Sequence, residues 1–237
     1  MTARGVVLLF TCVAAALGSP CTTAPHSSYL SAGFACTISP QPTFTFSDFA
    51  FSAMVTGGAP TLLDANGITV TPTNTTANSL ALAFSSSGFS VDAGQSVQYV
   101  ISYLVDPPPP EIIHFNLALT PDPPTPAGLA QVSTQLCVGA AFANDSCPST
   151  TESLIVYTNG TLSVLNDTVD FSGTVATLGV MDTITLNGGS SPSDPASFLS
   201  YEDTTITDLP EPASGLLGMI GVTLILLLVR CMRTELS

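Results

Sequence analysis

Between Ser19 and Val229 the chain has no lysine and no arginine. Arg4, Arg230 and Arg233 are the whole of that inventory, whereas 15 of the 17 acidic residues lie between Ser19 and Asp208. DNA, RNA and anionic lipid surfaces are therefore excluded as partners of this span by simple repulsion. Its stability draws on no Lys or Arg ion pair, and its solubility rests on Ser, Thr and Asn, which suits an all-β extracellular domain better than helices with Glu and Lys faces. Tryptophan is absent too, which removes the usual flat platform for stacking sugars. There are two histidines, His26 and His114, and no Cys-x-x-Cys pair, so the familiar zinc sites are missing. Neither His-Glu-x-x-His nor Gly-x-Ser-x-Gly occurs. No catalytic residue, metal ligand or cofactor is assigned on these grounds, and the expectation is a non-enzymatic protein. A one-signed charge is also the mark of disorder, but 45% hydrophobic residues, regularly spaced, argue for a packed core.

The two ends are different from the middle. Arg4, the mostly apolar run Val6 to Leu17 and the small-residue site Ala16, Leu17, Gly18 read as a secretory signal peptide over residues 1–18. At the other end Ala213 to Val229 is an uncharged run of 17 residues, at the short end of the ~17 to 25 that span a hydrocarbon core as a helix. Arg230 and Arg233 follow it, and the positive-inside bias puts that terminus in the cytoplasm and the preceding polypeptide outside. Just before the run stand Pro210, Glu211 and Pro212. The two prolines fix their own φ and extend the residues before them, which makes Leu209 to Pro212 a non-helical strip next to the bilayer.

A Pro-Glu-Pro motif, a terminal apolar helix and a basic end, in that order over residues 209–237, resemble the PEP-CTERM sorting signal of Gram-negative bacteria. Leu209 stands where that family often has Val. The resemblance covers about an eighth of the chain. It implies delivery by the secretion translocon, transient tenure in the inner membrane through the helix, and recognition and processing at Pro210 to Pro212 by exosortase, a membrane-embedded cysteine transpeptidase-like peptidase. The destination it implies is the cell surface or the extracellular matrix, where an extracellular polysaccharide is the candidate partner. The middle of the chain also resembles, more loosely, the secreted portions of PEP-CTERM proteins of soil bacteria, in Tyr29 to Ile38 around Cys36, in Phe44 to Phe51 and in the Cys137 and Cys147 pair; this implies a fold and no activity.

The six cysteines sort by compartment. Cys12 belongs to the signal peptide and Cys231 to the cytoplasmic end, which leaves Cys21, Cys36, Cys137 and Cys147 in an oxidising space. Four cysteines allow three pairings. The preferred one, Cys21 with Cys36 and Cys137 with Cys147, closes two short loops, each stabilising by roughly 3 kcal/mol on the chain-entropy model.

Residues 19–208 read as strands. Phe44 and Phe46 alternate in one phase, Phe49 and Phe51 in the other, as if a bulge near Asp48 turned the chain over. Period-two patterns recur at Ile68 and Val70, Leu80 to Phe84, Val97 to Tyr103, Ile113 to Leu119, Leu154 to Tyr157, Leu162 with Val164, Val169 with Phe171, Val180 to Leu186 and Phe198 to Ile206. Asn66-Gly67 and Asn159-Gly160 are turn dipeptides, the second placed as a hairpin turn. Eight to ten strands at this spacing predict one exported β-sandwich domain over 19–208. Prolines at 107–110 and at 121, 123, 124 and 126 bracket the strand at Ile112 to Leu119; an edge strand or a crossing between sheets explains both clusters, and a boundary between two subdomains is the competing explanation.

Few residues suggest a site. His114, on the alternate face of an apolar strand, is expected to face solvent, and His26 to lie near the mature N-terminus. Asp167 with Asp170, and Glu202 with Asp203, are the places to look for calcium, though neither pair sits in an Asp-x-Asp-x-Asp-Gly loop and the expectation is solvated acids on loops. Asn74, Asn144, Asn159 and Asn166 fit Asn-x-Ser/Thr, a pattern that a Thr-rich chain produces freely. Beside the sorted, non-enzymatic protein stand two alternatives, a permanently anchored adhesin module that binds calcium or glycans, and a hydrolase with an unrecognised site.

Overall fold

The computed structural model describes residues 19–38, 43–76, 78–107, 112–123 and 127–207; the signal-peptide segment, the sorting motif Pro210, Glu211, Pro212, the apolar run 213–229 and Arg230 with Arg233 lie outside the described residues. The chain forms β1 (Ser19–Pro20), β2 (Ala24–Pro25), β3 (Ala35–Ile38), β4 (Phe44–Gly57), β5 (Thr69–Thr76), β6 (Ser79–Ser85), β7 (Ser90–Val91), β8 (Ser96–Asp106), β9 (Ile112–Pro121), β10 (Leu129–Val138), β11 (Thr150–Thr158), β12 (Ser163–Val164), β13 (Asn166–Val175), β14 (Leu178–Asn187) and β15 (Ala196–Thr207). Helix among the described residues is confined to 3-10 turns at His26–Ser28 and Ala65–Gly67, and no helix there is long and apolar enough to cross a membrane.

Two sheets result. One has the order β1, β3, β4, β8, β14, β10, β11, β12; the other has β13, β9, β15, β6, β5, β2, with β7 added on β15. Alternation decides which side chains face inward. On β8 every second residue from Val97 to Val105 is buried; on β6 Leu80, Leu82 and Phe84, and on β9 Phe115, Leu117 and Leu119, meet them from the other sheet in one continuous core. One core is shared by both sheets, as in a β-sandwich.

The chain changes sheet on both sides of β9. Asp106 ends β8 in the first sheet and Ile112 begins β9 in the second; Pro121 ends β9 and Leu129 returns to the first. The strand between them is internal, flanked by β13 and β15, so the crossing explanation holds and the edge explanation does not. Inward packing begins at Ile112 rather than Ile113, because register shifts opposite Val175 and Thr207 change the phase of β9 before Phe115.

Asp48 carries the bulge that the phenylalanines predict. Its φ is +54°, and the pairing of β4 with β8 slips between Ser47 and Ala50, so Phe44 and Phe46 are buried in one phase and Phe49 in the next. Asn159-Gly160 turns β11 into β12: Gly160 takes φ +80°, which favours glycine, and the Asn159 Oδ1 accepts the Leu162 amide at 3.0 Å. Asn66-Gly67 instead closes a 3-10 turn whose first amides, those of Asn66 and Gly67, donate to Asp64 Oδ1 at 2.9 and 3.1 Å. Both expected disulfides are formed, Cys21 with Cys36 and Cys137 with Cys147, with Cα separations of 4.8 and 5.4 Å.

Candidate functional site

A polar hollow lies at one end of the sandwich, where three loops meet. After β4 the chain runs extended through Pro60 and Leu62, and the amide of Leu63 donates to the Tyr99 hydroxyl at 3.2 Å. A tight turn from β7 to β8 forms the second wall: Gln95 N donates to the Asp92 carbonyl at 3.1 Å and Gln95 Oε1 accepts the Asp92 amide at 3.1 Å. The loop before β15 forms the third, held against that turn through Gly94 N to Gly189 O at 2.8 Å and Gly188 N to Gln95 O at 2.9 Å. Gly188 is required here, since a Cβ would overlap the Asp92 carbonyl.

The resulting cleft has a volume of about 470 Å³ and presents Ser90, Asp92, Gln95 and Ser197 beside Leu62 and Pro195. An adjoining hollow of about 420 Å³ shares Asp92 and Pro195. Hydroxyl, amide and a single carboxylate can hydrogen-bond an uncharged, hydroxyl-rich ligand. The lining holds no aromatic ring, no histidine and no second carboxylate, so it offers neither a stacking face nor the acid and base of a glycosidase.

The residues singled out in the sequence are scattered elsewhere. His114 faces solvent on β9, and its Nδ1 lies 2.5 Å from Asp170 Oδ1 on the paired residue of β13. No serine hydroxyl completes a triad there among the described hydrogen bonds. Asp167 and Asp170, expected on a loop, lie on β13, three residues apart and so on opposite faces of the strand. Asp167 caps backbone instead: Oδ2 accepts Ile155 N at 2.8 Å and Oδ1 accepts Thr168 N at 2.9 Å. Among the described residues no three acidic, His or Cys side chains gather in a way that could hold a metal ion. Of the sequon asparagines, Asn74, Asn144 and Asn166 are exposed and Asn159 is half-buried in its turn.

Glu202 and Asp203 also part company, being adjacent on β15. Glu202 is half-buried and accepts the Thr204 hydroxyl at 3.1 Å, while Asp203 is inside the core at 2% exposure. There it meets Asp182 of β14, at 0% exposure, across the gap between the sheets. Asp182 accepts the Thr134 hydroxyl at 2.6 Å and the Tyr201 hydroxyl at 3.1 Å; Asp203 Oδ2 accepts the Tyr103 hydroxyl at 2.7 Å. Asp203 Oδ1 has no donor of this kind, and the neighbouring group is Asp182. Two carboxyls in contact away from water do not both ionise. Burial, then the Asp182 charge, push Asp203 well above the usual carboxylate range, while burial pushes Asp182 up to about 6 against the hydroxyls that stabilise its charge. Of the two, Asp203 is the one that burial and the neighbouring charge keep protonated. Enclosed on all sides, the pair joins the two sheets and meets no substrate.

His26, which the sequence places near the mature N-terminus without indicating its burial, is the second polar group enclosed in the core. It is fully buried, with ring centroids of Phe51, Phe84 and Phe49 at 5.8, 6.1 and 6.2 Å, all edge-on. Neither ring nitrogen has a hydrogen-bond partner, and burial lowers its pKa from 6.5 to about 4.

No family model and no curated protein matches the chain. Among solved structures it is similar to TmCBM61, a carbohydrate-binding module in complex with β-1,4-galactotriose, at 14% identity and a TM-score of 0.31 over 66% of this chain and 84% of that chain. A likeness so distant carries nothing about function.

Proposed function

We propose that this protein is an exported, non-enzymatic component of the cell surface or extracellular matrix, delivered through the secretion translocon by residues 1–18 and sorted by an exosortase-like peptidase at Pro210, Glu211 and Pro212. The observation that carries the exported part is the closure of both disulfides by the four cysteines that lie between the two targeting segments. Such bonds persist in oxidising compartments and are rare in the cytosol. A domain with its own core and no cation between Ser19 and Val229 has no need of permanent membrane contact, whereas the strip at Pro210 to Pro212 gives a defined place to part from the helix. The test is the mass of the mature protein recovered from its native host. The expected species begins near Ser19, ends at the motif and contains two disulfides. An intact C-terminus through Ser237, with Glu211→Ala leaving location unchanged, would overturn the sorting reading.

The end cleft favours a second reading, that the exported domain binds a neutral glycan through Ser90, Asp92, Gln95 and Ser197. Titration with neutral oligosaccharides followed by NMR checks it. Shifts confined to the cleft residues and abolished by Gln95→Ala support it, and the absence of any shift at millimolar sugar rules it out.

A further inference from the structure

Strand β4 is 14 residues long, but β3 pairs only with Phe44 to Ser47. Beyond the Asp48 bulge, Ala50 to Gly57 are paired with β8 on one side and, among the described residues, with no strand on the other. Every second residue there directs its N–H and C=O away from β8, a row of donors and acceptors that a further strand can pair with.

The other sheet margins are blunted. β1 and β2 are two residues long and each contains a proline, Pro20 and Pro25; β5 contains Pro72. On β11 the short β12 covers Tyr157 and Thr158, and the Asp167 carboxylate takes the Ile155 amide. β13 carries Asp167 and Asp170. β4 has none of these stops after its bulge. From Phe49 to Leu63 there is no charged residue, and no proline before Pro60. Its cover also fails toward the end: Phe49 is buried, Phe51 and Ala53 half-buried, Val55 is 40% exposed, and Met54 on the opposite face 53% exposed.

We propose that β4, from Ala50 to Gly57, pairs antiparallel with β4 of a second copy of this chain, joining two eight-stranded sheets into one about a two-fold axis. Charge confines the place where a second copy can meet the first. With a formal net charge of −14, like copies meet acid against acid over most of their surface, and the uncharged strip from Phe49 to Leu63 is a place where they do not. A two-fold axis near Ala53 and Met54 sets Asp48 of each copy opposite the neutral chain beyond Gly57 of the other. The contact is isologous, so it closes at two copies and does not propagate into a fibre.

The test uses the full chain with Cys12 and Cys231, the two cysteines outside the disulfides, replaced by serine. Single cysteines are placed at Ser52, Ala53, Met54 and Val55, and the exported protein is run without reductant. A two-fold strand pair gives a disulfide-linked dimer that peaks at one or two adjacent positions and falls at least tenfold two residues away. Met54→Glu, which sets two acids beside the axis, lowers the crosslink at Ala53→Cys by tenfold or more; persistence of the Cys21–Cys36 and Cys137–Cys147 bonds by mass shows that the variants have folded. Equal crosslinking at all four positions, monomer throughout, or crosslinks to a different polypeptide overturns the proposal.

Discussion

Asp182 of β14 and Asp203 of β15 meet in the core from opposite sheets, and one proton serves both. Because the pair prefers that proton when folded, its contribution to stability is fully present below the ordinary carboxylate pKa, near 3.8, and is lost as pH rises through about 6 and beyond. Asp203→Asn replaces the shared proton with an amide N–H that donates to Asp182 while its carbonyl still accepts from Tyr103. Thermal unfolding of this variant is expected to lose the decline of Tm above about pH 6, which Asp203 causes, and to keep the shallower decline below it that buried Asp182 causes. Asp203→Ala strands the Tyr103 hydroxyl and the Asp182 charge, at a cost of about 3 kcal/mol.

His26 acts with the opposite sign. Its folded pKa, about 4, lies below the unfolded 6.5, so the neutral ring contributes fully above pH 6.5 and that contribution falls away as pH drops toward 4. The loss reaches about 2 to 3 kcal/mol by pH 4.5. His26→Leu removes it and also removes two buried nitrogens without partners. Urea unfolding of this variant should match or exceed the parent at pH 7 and exceed it by that margin at pH 4.5. In the parent the two effects oppose one another between pH 4 and 6, so each slope becomes visible only when the other group is replaced.

The sequence made most of the fold legible because apolar alternation survives wherever nothing polar interrupts it, as at Val97 to Tyr103. β10 escaped that reading. Its inward phase is Ala130, Val132, Thr134, Leu136, and Thr134 breaks the apolar count because it serves Asp182. Asp182 occupies the same kind of position on β14, between Val180 and Ile184. An acid in the inward phase of a strand was therefore the available signal for the buried pair. Its partner had none, since Glu202 beside Asp203 made the two look like one solvated cluster. For His26 the reason is different: its cage is built from Phe49, Phe51 and Phe84, which come together only when the sheets close.

The bulge at Asp48 gives a prediction about backbone. An L-residue other than Asn or Asp strains at φ +54°, by roughly 1 to 2 kcal/mol, and glycine does not. Asp48→Gly should leave stability unchanged or raise it by up to about 1 kcal/mol. Asp48→Val should lower it by at least the strain, because a β-branched side chain resists that conformation. Denaturant midpoints of the two variants check the difference.

Trypsin gives a test of the one-signed composition. Reduced and held in urea, the span from Ser19 to Val229 should survive it intact, for want of Lys and Arg. Chymotrypsin under the same conditions should cut at the Phe and Tyr residues and so establish that the chain is open. A tryptic cleavage inside the span would contradict the sequence.

The two disulfides should not be equivalent. On loop length alone they differ little, with separations of 15 and 10 residues, and each stabilises by roughly 3 kcal/mol. What they hold is unlike. Cys21–Cys36 fastens the segment that carries His26 and Tyr29 into the core, where Tyr29 lies 5.0 Å from Phe49 and donates its hydroxyl to Thr22 O. Cys137–Cys147 closes a surface turn whose residues Asn144 and Asp145 are exposed. Replacing the first pair by alanine therefore loses core packing as well as loop entropy, and the urea midpoint should fall further than for the second pair. Chymotrypsin acting on the folded protein should then release the N-terminal segment from the first variant and leave the core of the second uncut. Equal midpoints would mean that His26 and Tyr29 stay docked without their tether, and that packing at Phe49 alone places the N-terminal segment.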